Sequence, residues 1–174
     1  IVSDYGHGII TPKIADYISK SDKYISLNAQ VNAANIGTHS IRKYHDINCL
    51  IVNANELLYE MRERGGDIEK LALKLKKMVK ADYIAVTKGK HGAFLFNDKK
   101  VQVVCPGFAV EVVDKIGSGD ALLALLSVCL YSKIDDDLSL FIASLAAAQS
   151  VESIGNSKPV NKVTLLKTIS HFLK

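Results

Sequence analysis

The feature that most constrains the fold is an alternation. Short, continuous apolar runs such as Cys49-Leu50-Ile51-Val52 and Tyr83-Ile84-Ala85-Val86-Thr87 are separated by stretches of helical periodicity. A strand that is apolar at every position is covered on both faces, and this happens where helices pack on both sides of a parallel sheet. Between those two runs, Asp67 is placed to cap a helix. Its Ile68, Leu71, Leu75, Met78 and Val79 recur at steps of three and four, an amphipathic stripe. Lys70, Lys74, Lys76, Lys77 and Lys80 then read as its solvated face.

The same alternation extends over the chain. Ile1-Val2-Ser3 reads as strand and ends at a Gly-punctuated loop, Asp4-Tyr5-Gly6-His7-Gly8. Asp4 suits an Asx turn there. Thr11-Pro12 is a helix start, with Thr as N-cap and Pro at the first position, and the helix is expected to run to about Ser19. Tyr24 to Leu27 reads as strand, Asn28 to Gly37 as loop, and Thr38 to Tyr44 as a short helix. Helix is expected from about Glu56 to Arg62, stopped by Gly65-Gly66. Gly92–Phe96 and Val101–Val104, joined through Asn97-Asp98, read as a hairpin. Val110 to Val113 leads into Asp114, and helices are expected over about Gly119–Tyr131, Leu138–Ser153 and Asn161–Phe172. The expected fold is α/β, a mostly parallel sheet flanked by helices, with residues 1–174 as one domain.

Composition closes off several function classes. With 22 basic and 18 acidic residues the net charge is +4 and diffuse, which does not make a nucleic-acid footprint. The longest apolar run, Ala121 to Leu126 and on past Ser127 to Leu130, falls short of the ~20 residues of a membrane span. Cys49, Cys105 and Cys129 are far apart, without a C-x-x-C pair. That points away from a zinc ribbon or disulfide scaffold and toward a reducing, cytoplasmic compartment. The five His lack i, i+4 pairing, so no dedicated metal cage is expected. The chain does not begin with Met and Ile1-Val2 is already strand-like, which predicts that residue 1 lies inside a larger fold.

The strongest chemical signal is Asp114-Lys115-Ile116-Gly117-Ser118-Gly119-Asp120, directly before an apolar helix. Gly117 and Gly119 around one small residue let backbone N–H groups converge at a helix start, where the dipole adds positive charge. This is an anion hole suited to a phosphoryl group. Asp120, in the first turn, is placed to take a proton from an attacking alcohol. The same residues also describe a tight strand-to-helix turn with a favourable acid, and no Lys-Ser/Thr follows to make a Walker A loop.

Asp114-x-x-Gly117-Ser118-Gly119-Asp120 resembles the D-T-x-G-A-G-D signature of the ribokinase-like (PfkB) carbohydrate kinases. Thr87-Lys88-Gly89 resembles that family's T-x-G element, and Asn53-Ala54-Asn55-Glu56 its N-x-x-E motif, in matching order. The Asp4–Gly8 loop is similar to the D-Y-x-K-G loop of a heptose-kinase-like branch, with His7 in place of Lys. The resemblance spans the chain but covers only the C-terminal part of the family fold. The N-terminal part, with its sugar-binding Gly-Gly segment and β lid, falls outside these residues.

The resemblance implies a reaction and its residues. Asp120 matches the catalytic base, and Gly117, Ser118 and Gly119 the anion hole for the transferred phosphate. Asn53 and Glu56 match a pair that places phosphate and magnesium waters. Thr87 and Gly89 match contacts to the nucleotide. Ser144, in a close-packed stretch to Ala148, falls in the region that borders the adenine. Asp114 matches a ligand of the monovalent-cation (K⁺) site; Lys115 and Ile116 stand where small residues or Thr are common, and Lys115 is another source of positive charge there. The implied function is ATP-dependent phosphorylation of a sugar or sugar phosphate, with Mg²⁺ carried by the nucleotide, no nucleic-acid or membrane partner, and a homodimer allowed. Two alternatives stand beside it: an ATP-binding or regulatory module without catalysis, and a vitamin kinase of the same superfamily acting on pyridoxal or a hydroxymethylpyrimidine. Gly117-Ser118-Gly119-Asp120 differs from the Gly-Thr-Gly-Cys type of that last branch.

Overall fold

A computed structural model describes the chain except residues 32–34, 98, 100, 101, 110 and 111 and the side chain of Asn156. Six strands form one sheet in the order β1 (Val2–Asp4), β2 (Ser26–Ala29), β3 (Cys49–Asn53), β4 (Tyr83–Thr87), β5 (Ala93–Phe96), β6 (Gln102–Cys105). The first four are parallel, β5 runs antiparallel to β4, and β6 is antiparallel to β5 and so runs with the first four. The expected hairpin is present, with Phe96 paired to Gln102; Asp98 and Val101 of that expectation lie outside the described residues. The expectation of an extended lead-in at Val110-Glu111 also lies outside them.

Helices cover both faces. On one face lie α1 (Pro12–Ser19), α2 (Ala54–Met61) and α3 (Ile68–Met78), whose Ala15, Leu57, Met61, Ala72 and Leu75 close over Leu27, Leu50, Val52, Ile84 and Val86. On the other lie α4 (Ser118–Tyr131) and α5 (Asp136–Ser150), with Leu122, Leu123, Leu126 and Leu140 against Cys49, Ile51, Ala85 and Leu95. Alternate residues of β3 serve the two cores, so this run is apolar throughout. A final helix, α6 (Lys162–Phe172), packs Leu165 against Leu145 and Ala146 of α5.

Several expected boundaries move, each for a tertiary reason. Pairing in β2 starts at Ser26 and continues through Asn28 and Ala29, because Ser3 and Asp4 of β1 are their partners. The expected helix over Thr38–Tyr44 is reduced to a 3-10 turn, Ile41–Lys43. Glu60 of α2 explains this: its carboxylate accepts from the Ser40 hydroxyl at 2.8 Å and the Ile41 N–H at 2.9 Å, and holds Ser40 extended. On α3 the buried stripe is Ala72, Leu75 and, just beyond the helix, Val79, whereas Met78 is exposed. The α5 helix starts two residues early, since Asp136 and Asp137 suit its positive end, and stops at Ser150. There the Val151 carbonyl leaves the helix pattern to accept the N–H groups of Val113 and Asp114.

Candidate active site

Parallel strands carry their carboxyl ends to one rim, where open α/β sheets bind ligands. Asp4, Asn28, Asn53 and Thr87 come to that rim from β1, β2, β3 and β4. A depression lined by Tyr83, Gln102, Lys133 and Asp135 lies at the opposite end of the sheet.

The 114–120 segment is built as a braced turn. Asp114 Oδ1 accepts the Ile116 N–H at 3.0 Å and Oδ2 the Gly155 N–H at 2.8 Å. These backbone donors hold its carboxyl below the ordinary range. Gly117 has φ 85°, a left-handed conformation that glycine adopts cheaply, and it turns the chain into α4. No side chain caps this helix start, and the Ser118 hydroxyl donates back to the Lys115 carbonyl at 3.0 Å. The orphan N–H groups of the first turn therefore face outward with the helix dipole behind them. Gly119 needs no unusual φ, and a Cβ there would meet nothing outside its own helix and chain neighbours within 4 Å, so the space over the helix start is open.

Asp120 sits in this first turn, half-buried. Its Oδ1 accepts from the Ser3 hydroxyl and its Oδ2 from the Tyr5 hydroxyl, each at 3.0 Å. Both donors come from β1 and the loop after it. Neither was given a site role from sequence: Tyr5 stood only as part of the Asp4–Gly8 loop resemblance, and nothing local in the sequence marks Ser3.

The loop is itself anchored below. Asp4 is 4% exposed. Its Oδ1 accepts the Gly6 N–H at 2.9 Å, the Asx turn expected from sequence. Its Oδ2 accepts the Tyr44 hydroxyl and the Lys43 ammonium, each at 2.7 Å. Burial raises the Asp4 carboxyl, but the Lys43, Tyr44 and Gly6 donors outweigh it and leave it below the usual range. Burial and the Asp4 carboxylate together push the Tyr44 phenol well up. Lys43 also donates to the Ile10 carbonyl at 2.8 Å, and Asn35 Nδ2 to the Tyr5 carbonyl at 3.0 Å. Gly6 lies so close to Asn35 and His39 that a Cβ would overlap both.

Asn53 and Glu56 form a capping box at the start of α2: Asn53 Oδ1 accepts the Glu56 N–H at 2.9 Å, and Glu56 Oε2 the Asn53 N–H at 2.8 Å. Burial raises the Glu56 carboxyl, against the lowering effect of N–H donors from Asn53 and Val31. Asn28 donates to the Ile51 carbonyl at 2.9 Å, while its buried Oδ1 has no hydrogen-bond partner among the described residues. A polar residue read as the start of a loop was the signal for Asn28. Thr87 ends β4, and Gly89, at φ 57°, opens a 3-10 turn that the Lys88 N–H to Gly92 carbonyl bond closes at 2.7 Å. The crossing of this turn with the end of β6 requires Gly92, where a Cβ would stand 2.0 Å from the Cys105 carbonyl oxygen. Ser144 is buried on α5 beside Cys105, whose thiol burial pushes up and Ser144 draws back. Among the described residues no three His, Cys, Asp or Glu gather as a metal cage, and no helix is long and apolar enough to cross a membrane.

A family model for pfkB family carbohydrate kinases matches residues 20–163. The chain belongs to this family. Among curated relatives, the bifunctional protein HldE of Campylobacter jejuni is 30% identical over 174 residues, covering 98% of this chain and 37% of the relative. The HldE of Koribacter versatilis is 26% identical over 173 residues and 35% of its length is covered. The chain thus spans little more than a third of these relatives. Of solved structures, Arabidopsis thaliana ribokinase complexed with ribose and ATP superposes with TM-score 0.72 at 21% identity, over 90% of this chain and 50% of that one. Ribokinase from Thermotoga maritima gives 0.64 at 21% identity, over 75% and 44%. The fold is ribokinase-like, as the motifs imply.

Proposed function

We propose that this pfkB chain is the nucleotide-binding and catalytic part of a kinase that phosphorylates a hydroxyl of a sugar or sugar phosphate. The observation that carries the reading is Asp120 beside an uncapped helix start whose Gly119 leaves open space. In the reaction, the acceptor oxygen forms a bond to the γ-phosphorus of ATP as the bond to the β,γ-bridging oxygen breaks. The hydroxyl proton passes to Asp120, and ADP leaves. The amides of Ser118 and Gly119 stabilise charge on the transferring group. Thr87 and Gly89 contact the nucleotide phosphates and ribose, and Ser144 lies in the region bordering the adenine.

Magnesium accompanies ATP and neutralises phosphate charge. The orphaned Oδ1 of buried Asn28 and the carboxylate of Glu56 are rim oxygens that fit as acceptors for its waters. Asp114 accepts a backbone N–H on each oxygen and braces the turn.

Asp120→Asn in the complete protein tests the reading, with ATP and a panel of sugars and sugar phosphates as acceptors. A positioned base contributes about 10²–10⁴-fold. Turnover is expected to fall by that factor, with ATP affinity by calorimetry little changed. Near wild-type turnover would remove Asp120 from the role of base.

A further inference from the structure

Both carboxylate oxygens of Asp120 are already engaged, and by donors of unequal standing. Ser3 lies within β1, fixed by register to Asn28 of the next strand. Tyr5 lies one residue beyond β1 in the loop, 42% exposed, its ring stacked on His7 at 6.4 Å. A base must have an open lone pair toward the hydroxyl it deprotonates, at about 2.6–3.2 Å. The Tyr5 hydroxyl holds that distance at Oδ2 now. Both bonds lie at the surface, but Ser3 is held in the sheet whereas Tyr5 is an O–H donor carried by a loop, so its bond is the one that an incoming hydroxyl displaces.

We propose that the Tyr5 hydroxyl keeps the place of the acceptor hydroxyl on Asp120, while Ser3 is the permanent donor that orients the carboxylate. The inference rests on Asp120 being the base. Tyr5 then has a second effect. With no acceptor bound, water is the competing nucleophile: its oxygen would bond to the γ-phosphorus, the bond to the bridging oxygen would break, and its proton would go to Asp120, giving ADP and inorganic phosphate. A phenol on Oδ2 competes with water for that oxygen and weakens it as a base, whereas an acceptor held by its other hydroxyls displaces the phenol. Tyr5 is thus a positioning residue that restrains wasteful ATP hydrolysis. The Asp4 network beneath the loop makes the placement reproducible: the Gly6 N–H, Lys43 and Tyr44 bonds fix the loop on either side of the Tyr5 Cα.

The test is ATP hydrolysis by the full-length protein with Mg-ATP and no acceptor, water being the probe nucleophile. Tyr5→Phe keeps the ring and removes only the hydroxyl. Hydrolysis is expected to rise about 2- to 10-fold, the weight of one hydrogen bond. A merely structural role for Tyr5 does not raise it. In the Tyr5→Phe background, Ser3→Ala should lower hydrolysis again and Ser3→Thr should restore it. Unchanged or slower hydrolysis in Tyr5→Phe overturns the inference. If Asp120→Asn still slows hydrolysis in that case, the base stands and only the role of Tyr5 falls. If Tyr5→Phe with Asp120→Asn is as fast as Tyr5→Phe alone, the inference and the assignment of the base fall together.

Discussion

Asp4 is a charged residue placed where charge is costly, and its partners decide whether it stabilises. Lys43, 16% exposed at its side chain, and Tyr44 both reach the same carboxylate oxygen. Removing one member of such a pair leaves the other without compensation, at about 3–5 kcal/mol. Asp4→Asn is therefore expected to lower unfolding stability by about 3 kcal/mol or more, read from urea midpoints. The pH dependence has a definite sign. The Asp4 carboxyl is lowered in the fold, so its contribution is complete above the ordinary carboxyl value and is lost as pH falls through the lowered one. Below about pH 4 the native protein should lose stability with acid more steeply than Asp4→Asn. Equal slopes would mean that the carboxylate is not held by these donors. The sequence showed Asp4 as an Asx turn and as the start of the Asp4–Gly8 loop, but not its distant partners. Tyr44 and Lys43, some forty positions on, have no local pattern that ties them to it.

At the scale of elements, the sequence was most legible where one element answers to its own residues. Thr11-Pro12 starts α1 as expected, the Thr11 hydroxyl accepting the Ile14 N–H, and Asp67 caps α3 through the N–H groups of Glu69 and Lys70. It was least legible where distant side chains decide. Glu60 of α2 holds Ser40 and Ile41 and shortens an expected helix to one turn. The motif residues Asn53 and Glu56 show why a motif and a cap look alike, since the residues suited to a phosphate rim are also bonded as a capping box. The two roles separate by measurement. Asn53→Ala removes the cap and should cost about 1 kcal/mol of stability, whereas Asn53→Ser retains an N-cap oxygen and most of that stability. Loss of ATP affinity in Asn53→Ser with a normal melting temperature would assign Asn53 to the nucleotide as well. Equal melting temperatures for Asn53→Ala and the native protein would contradict the capping box.

For the whole molecule, the class of fold was readable because burial on both faces leaves its mark on β3 and β4 without any motif. The candidate site was half readable. Gly117 to Asp120 announced themselves, but the partners of Asp120 come from β1 and the loop after it, and sheet order alone brings them together. Ligand binding at the rim should be felt by the entire sheet, since β1 to β4 all end there. Mg-ATP at 100 times its dissociation constant stabilises a native state by about 2.7 kcal/mol. For a chain of this size that corresponds to a rise of roughly 5–10 °C in melting temperature. Absence of a shift at millimolar Mg-ATP would count against a nucleotide site on this rim.

The bond between Ser3 and Asp120 joins positions 117 apart in sequence. The members of the Asp4 network, by contrast, all lie within residues 4–44. On a ribosome adding about 5–20 residues per second, the seat for the carboxylate is complete in the nascent chain roughly 4–15 s before residue 120 is even made. The residues that bond the Asp120 carboxylate are thus translated before Asp120 itself. A substitution that slows closure of the Asp4 network should therefore show itself during biosynthesis, as a lower yield of folded protein, even where the purified survivors are fully active.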